Sequence, residues 1–105
     1  MQNLAQILAV PGIDAIVIGP YDLSGSFGKL GQVIDEEVQT AIEIIKNMCA
    51  VHKIPCGIFS LNGEAALSSL EDGFGLIAVG VDIHYLWTAA KSILNIVHAL
   101  NNQYH

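Results

Sequence analysis

The sequence predicts an α/β fold built on a short parallel sheet, and three observations carry that prediction. The segments IDAIVIG (13–19), IPCGIF (54–59) and FGLIAVG (74–80) are brief apolar runs closed by or close to a glycine, the form of buried strands. Between and after them, apolar residues recur at three- and four-residue intervals, the spacing of helices with one buried face. The aromatic share is only 7%, and the apolar residues are mostly Ile, Val, Leu and Ala, as in parallel strands covered on both faces.

Each element has its own signals. Leu4, Ile7 and Leu8 end a helix that Pro11-Gly12 stops. After the first strand, a short helical turn is expected around Leu23 to Ser26. Residues 35–53 follow as a helix, with Val38, Ala41, Ile42, Ile45, Met48 and Cys49 on one face. Asp35 is its expected N-cap; Glu36 and Glu37 complement the positive end of the dipole and His52 and Lys53 the negative end, while Pro55 prevents continuation. After the second strand a helix runs from Asn62 as cap to Glu71, with Gly73 in the C′ position. After the third strand, Asp82 is expected to cap a long helix striped by Leu86, Ala90, Ile93, Val97 and Leu100, lasting almost to the polar tail Asn101-Asn102-Gln103.

The order α, β, α, β, α, β, α implies right-handed crossovers between parallel strands. Three strands leave two open edges, and the chain opens inside a helix with no strand before it. Two architectures fit: a small three-layer domain, or the C-terminal part of a (β/α)8 barrel whose five earlier strands are absent. Residues 1–105 form one domain in either case.

Composition narrows the functional classes. With 52% hydrophobic residues, 13% charged residues and a mean hydropathy of +0.51, the chain is a folding sequence. Four Lys+Arg against ten Asp+Glu give a net charge of -6, with no basic cluster, which argues against nucleic acid as a partner. No apolar run approaches the roughly 20 residues of a membrane span, and no signal-peptide pattern opens the chain. A soluble protein of the cytoplasm is expected, with no membrane partner. Cys49 and Cys56 lack C-x-x-C spacing and read as buried free thiols.

Asp22, in GPYDLSGSFG, is the sharpest chemical feature. It follows the first strand directly, on the face where α/β folds bind ligands; Gly19 permits close backbone approach and Pro20 stiffens the turn. Capping of the turn Leu23–Ser26 is the commoner job for such an aspartate. Tyr21 could stack on a substrate or simply pack. Ser24 and Ser26, flanked by Gly25 and Gly28, could cradle an anion, although no phosphate-loop motif accompanies them. Asp82 reads as a helix cap, His84 lacks a second metal ligand at i+4, and His52, His98 and His105 read as surface residues. Ser60 lacks the G-x-S-x-G elbow of a hydrolase and receives no nucleophilic role.

GPYDLSGSFG, Gly31-Gln32, CGIFSLNGEA (56–65) and GFGLIAVGVD (73–82) together closely resemble the C-terminal part of the metal-dependent pyruvate aldolases, the 4-hydroxy-2-oxo-heptanedioate aldolase family related to the citrate lyase β-subunit. The resemblance covers nearly the whole chain. It implies a (β/α)8-barrel lyase that uses a divalent cation, magnesium, manganese or cobalt, to cleave a 2-oxo-4-hydroxy acid into pyruvate and an aldehyde. Asp22 matches the family's metal-binding aspartate, and Gly19, Pro20, Tyr21 and Asp22 its pyruvate-binding turn, with the amides of Tyr21 and Asp22 toward the carboxylate. It also implies oligomers with contacts through C-terminal helices, here Leu86, Trp87, Ile93 and Val97, joining copies of this chain or a complete subunit.

The departure from the family is large. Its metal-binding glutamate precedes the pattern E-N-L-x-x-I-L, which starts here as MQNLAQIL, so that ligand falls before Met1. Its histidine base and its arginine belong to still earlier strands. No catalytic residue is assigned to this chain, and a truncated product inactive alone is expected. A non-catalytic interaction module and a phosphate-binding half-barrel are the alternatives.

Overall fold

A computed structural model describes residues 2–104, with side chains described as far as Asn101. The elements are α1 (Leu4–Leu8), β1 (Ile16–Ile18), α2 (Pro20–Ser26), α3 (Glu36–Val51), β2 (Cys56–Ser60), α4 (Gly63–Glu71), β3 (Leu76–Val79) and α5 (Asp82–Tyr104). All three expected strands form, each shorter than its apolar segment.

The sheet is parallel in the order β1-β2-β3. Ile16, Val17 and Ile18 pair with Cys56, Gly57 and Ile58, and Gly57 to Ser60 pair with Leu76 to Val79. Successive right-handed crossovers that advance in one direction place their helices on one side of a sheet, the arrangement of a barrel wall. Side chains alternate accordingly. Ile18, Cys56 and Ile58 join Val38, Ile42, Ile45 and Cys49 of α3 and Leu4 and Leu8 of α1 in one core. On the opposite face, Val17 and Leu76 are 54% and 51% exposed. The expectation of strands covered on both faces is thus met on one face only among the described residues.

The caps explain the helix boundaries. Asp35 caps α3, its carboxylate accepting from the amide of Glu37 at 2.9 Å. At the far end the helix stops at Val51, short of the expected residue 53, while His52 meets the negative end as expected. His52 is the C-cap, with its ring Nδ1 2.9 Å from the carbonyl of Met48, and Lys53 follows at φ +56° to turn the chain toward β2. Asn62 caps α4 through the amide of Ala65 at 2.8 Å, and Gly73 follows at φ +95°.

Two expectations are corrected. Asp82 lies inside α5: the carbonyl of Val81 accepts the first helical bond, from Tyr85, and the Asp82 carboxylate accepts from the amide of Ile83 at 2.7 Å. The helix also continues through the expected polar tail to Tyr104, since Asn and Gln weaken a helix by only tenths of a kcal/mol per residue. No side chain of α5 from Asp82 to Asn101 is buried.

Cys49 and Cys56 are free, and both are buried. They sit in different elements, yet they meet in the core between α3 and β2. Burial, reinforced by neighbouring Cys49 and opposed by Lys46, pushes the Cys56 thiol up to about 12. It therefore stays protonated and unreactive at neutral pH.

Candidate functional site

The turn after β1 assembles the site. Gly19, with φ -100° and ψ 97°, takes the chain out of the sheet, and Pro20 starts α2 at the first helical position, where its missing N–H costs nothing. The first helical bond runs from the amide of Leu23 to the carbonyl of Gly19 at 2.9 Å. The amides of Tyr21 and Asp22 therefore have no carbonyl one turn earlier to bond. Gly19 is the N-cap, so Asp22 does not cap the turn Leu23–Ser26. It lies within the first turn, where its charge complements the helix dipole.

The carboxylate of Asp22 folds back over Gly19. A Cβ at residue 19 would stand 3.2 Å from Asp22 Oδ2. Asp22 is exposed and, among the described residues, engaged by no side-chain hydrogen bond or ion pair. It offers hard oxygen donors of the kind that magnesium and manganese prefer. Such a cation needs further ligands, and among the described residues no three His, Cys, Asp or Glu side chains gather. Asp22 fits one position of a donor set.

Tyr21 faces elsewhere. With Pro20 it lines a groove of about 710 Å³ between α3 and α4, whose walls include Ile42, Ile58 and Phe74. Its ring edge would meet a Cβ at Gly31 at 3.6 Å. The structure thus brings Gly19, Pro20, Tyr21 and Asp22 together at the C-terminal end of β1, but it sends the two side chains different ways.

The anion-cradle alternative loses its donors. The hydroxyls of Ser24 and Ser26 donate to the carbonyls of Tyr21 and Leu23, at 2.6 and 2.7 Å, and the amides of Phe27, Gly28, Lys29 and Gly31 are already bonded within the turn. Ser60 is buried against Ser69, 3.3 Å between hydroxyls, and no base bonds it among the described residues. His84 is half-buried, His52 and His98 are exposed, and His105 lies outside the described residues.

Two residues escaped the sequence. Tyr85 lies over Gly80, at φ +75°, and donates to the carbonyl of Val79 at 3.2 Å, closing the end of β3. Ser24, read only as part of a small-residue loop, is fully buried. Its one visible signal is the i+3 spacing from Tyr21, at which a helical serine reaches back to a carbonyl.

Comparison with known proteins bears on the family and the fold. The chain is similar to a 4-hydroxy-2-oxo-heptane-1,7-dioate aldolase of Shigella sonnei, 44% identical over 94 residues that cover 89% of this chain and 36% of the relative. A hydroxypyruvate/pyruvate aldolase of Roseobacter denitrificans is 39% identical over the same shares. Among solved structures, an HpcH/HpaI aldolase/citrate lyase family protein from Burkholderia cenocepacia superposes with a TM-score of 0.85 at 32% identity, over 92% of this chain and 38% of that one. An HpcH/HpaI aldolase from Desulfitobacterium hafniense superposes with a TM-score of 0.81 at 29% identity, over 90% and 38%. The chain spans little more than a third of the length of these relatives, and its three-strand layer is part of a TIM-barrel-type fold. Residues 1–89 match the family model described as HpcH/HpaI aldolase/citrate lyase, and the chain belongs to that family.

Proposed function

We propose that residues 1–105 form one partial-barrel unit of a metal-dependent pyruvate aldolase, a lyase that cleaves a 2-oxo-4-hydroxy acid into pyruvate and an aldehyde. The observation that carries this is Asp22, exposed, without a side-chain partner among the described residues and lying over Gly19 at the C-terminal end of β1, in a chain 44% identical to a relative named for such an activity. Asp22 would hold the divalent cation, magnesium, manganese or cobalt. When bound, that cation supplies Lewis-acid stabilisation of the enolate oxygen left by retro-aldol cleavage.

The chain's own contribution is binding and orientation. The amides of Tyr21 and Asp22, in the first turn of α2, receive the carboxylate of the 2-oxo acid, and Gly19 and Pro20 hold the turn open to it. No acid, base or nucleophile is assigned among these residues, so the chain alone should turn over negligibly. The cytoplasm is part of the same reading, since unpaired thiols such as Cys49 and Cys56 persist there. The test is pyruvate release from a 4-hydroxy-2-oxo acid by this chain joined to the remaining barrel strands. Release that stops on chelation and returns with manganese supports it; undiminished release in excess chelator rejects it.

A second reading concerns partners. Leu86, Trp87, Ile93 and Val97 of α5 are 53–71% exposed, an apolar stripe of the kind that drives association. We read α5 as the contact to another copy or to a complete subunit, and a non-catalytic interaction role would use the same surface.

A further inference from the structure

Ser24 is the most enclosed polar side chain of the turn, with no accessible surface. Its hydroxyl donates to the carbonyl of Tyr21 at 2.6 Å and accepts from the amide of Gly31 at 3.0 Å. Its own carbonyl accepts from Phe27 at 3.2 Å and from Lys29 at 2.9 Å. One residue thereby ties α2 to the loop that follows it.

The bonded carbonyl belongs to the peptide unit that joins Tyr21 to Asp22. A peptide unit is planar, so fixing its C=O also fixes the direction of its N–H, which is the amide of Asp22. Ser26 provides the contrast. It is exposed and makes a bond of similar length, 2.7 Å to Leu23, but that bond ties α2 only to itself.

We propose that Ser24 is a positioning residue for Asp22: it holds the Tyr21–Asp22 peptide plane against the 27–31 loop and so sets where the Asp22 carboxylate is presented to a divalent cation. The role rests on Asp22 being the cation ligand proposed above. Asp14 is the internal reference, an exposed aspartate without such support.

The experiment is manganese titration of the isotope-labelled protein carrying the complete barrel, where the remaining ligands of the donor set are supplied, read as paramagnetic broadening of individual amides. In the wild type, amides around Asp22 should broaden at lower manganese than those around Asp14. Ser24→Ala should raise the midpoint at Asp22 several-fold and leave that at Glu36 and Glu37 unchanged, whereas Ser24→Thr should restore it and Ser26→Ala should not alter it. A wild-type midpoint in Ser24→Ala, or an equal loss in Ser26→Ala, overturns the role of Ser24 alone. Broadening at Asp22 no earlier than at Asp14 in the wild type overturns the Asp22 site and Ser24 with it. If Ser24→Ala does not fold, Ser24→Cys replaces it; a midpoint equal to that of Ser24→Thr then rejects the proposal.

Discussion

The carboxylate of Asp22 occupies the space that a side chain at residue 19 would need: a Cβ there would lie 3.2 Å from Oδ2 and 3.8 Å from the Asp22 Cβ. Gly19 has a negative φ of -100°, which any residue can adopt, so its value is the room it leaves. Gly19→Ala should keep the fold at this compatible φ, because the gain from restricting the unfolded chain is offset by the poorer N-cap that Ala makes at residue 19. It should displace the carboxylate and weaken manganese binding several-fold. Calorimetry beside a thermal melt separates the two effects, and unchanged affinity would show that the contact has no role.

Gly57 faces a harder constraint. A Cβ on it would stand 2.7 Å from the carbonyl of Leu76 on the neighbouring strand. Gly57→Ala must therefore push β2 and β3 apart, at a cost on the order of 1–3 kcal/mol typical of overpacking. Denaturant unfolding measures it. A loss below a few tenths of a kcal/mol would mean that the ladder gives way easily.

The start of α3 should respond to acid. Lys29 bonds Asp35 at 2.9 Å and Glu37 at 3.0 Å. The Lys29 ammonium, with the Glu37 amide assisting, holds the Asp35 carboxyl below its ordinary value, and Asp35 in turn raises Lys29. A lowered acid stabilises the fold above its unfolded pKa, about 3.9 for Asp, and that contribution fades as pH falls through the lowered value. A raised lysine stabilises below about 10.4, and its contribution fades as pH rises through the raised value. Hydrogen exchange at the Glu37 amide should thus show most protection between these limits and lose it at low pH. Asp35→Asn, which still caps, should remove most of the acid response; an identical response in that variant would contradict the assignment.

Much of this fold is legible in the sequence because the signals are local. Asp35 and Asn62 announce their helices by residue type, and Gly73 ends α4 by its backbone freedom. Other features depend on distance in sequence or on the backbone path. Asp22 reads as a cap because its type suits one, but Pro20 starts the helix two residues earlier and places Asp22 inside it. Cys49 and Cys56 show no motif spacing, since the tight turn through Lys53 brings them together. Ser24 gains its importance from Gly31, seven residues away, a contact that no periodicity encodes. The exposed face of the sheet was hidden for the opposite reason: Val17 and Leu76 are as apolar as buried residues, and only the fold shows them uncovered.

Self-association should follow from that surface and from α5. Sedimentation at micromolar concentration should show a species larger than one chain. Leu86→Glu with Ile93→Glu, both at positions exposed in the single chain, should shift it toward monomer with little change in helix content. A compact monomer in the wild type would rule out α5 as a contact at that concentration.

The most direct measurement is the effect of Asp22→Asn on pyruvate release by the protein carrying the complete barrel, with manganese supplied and Asp14→Asn as control. Asn keeps the size of the side chain and loses the charge, so folding should persist. Turnover should fall by roughly a hundredfold or more, as when one transition-state charge stabiliser is removed, and manganese affinity should fall with it, while Asp14→Asn changes neither. Full turnover at wild-type manganese affinity in Asp22→Asn would contradict the assignment of Asp22 as the metal ligand.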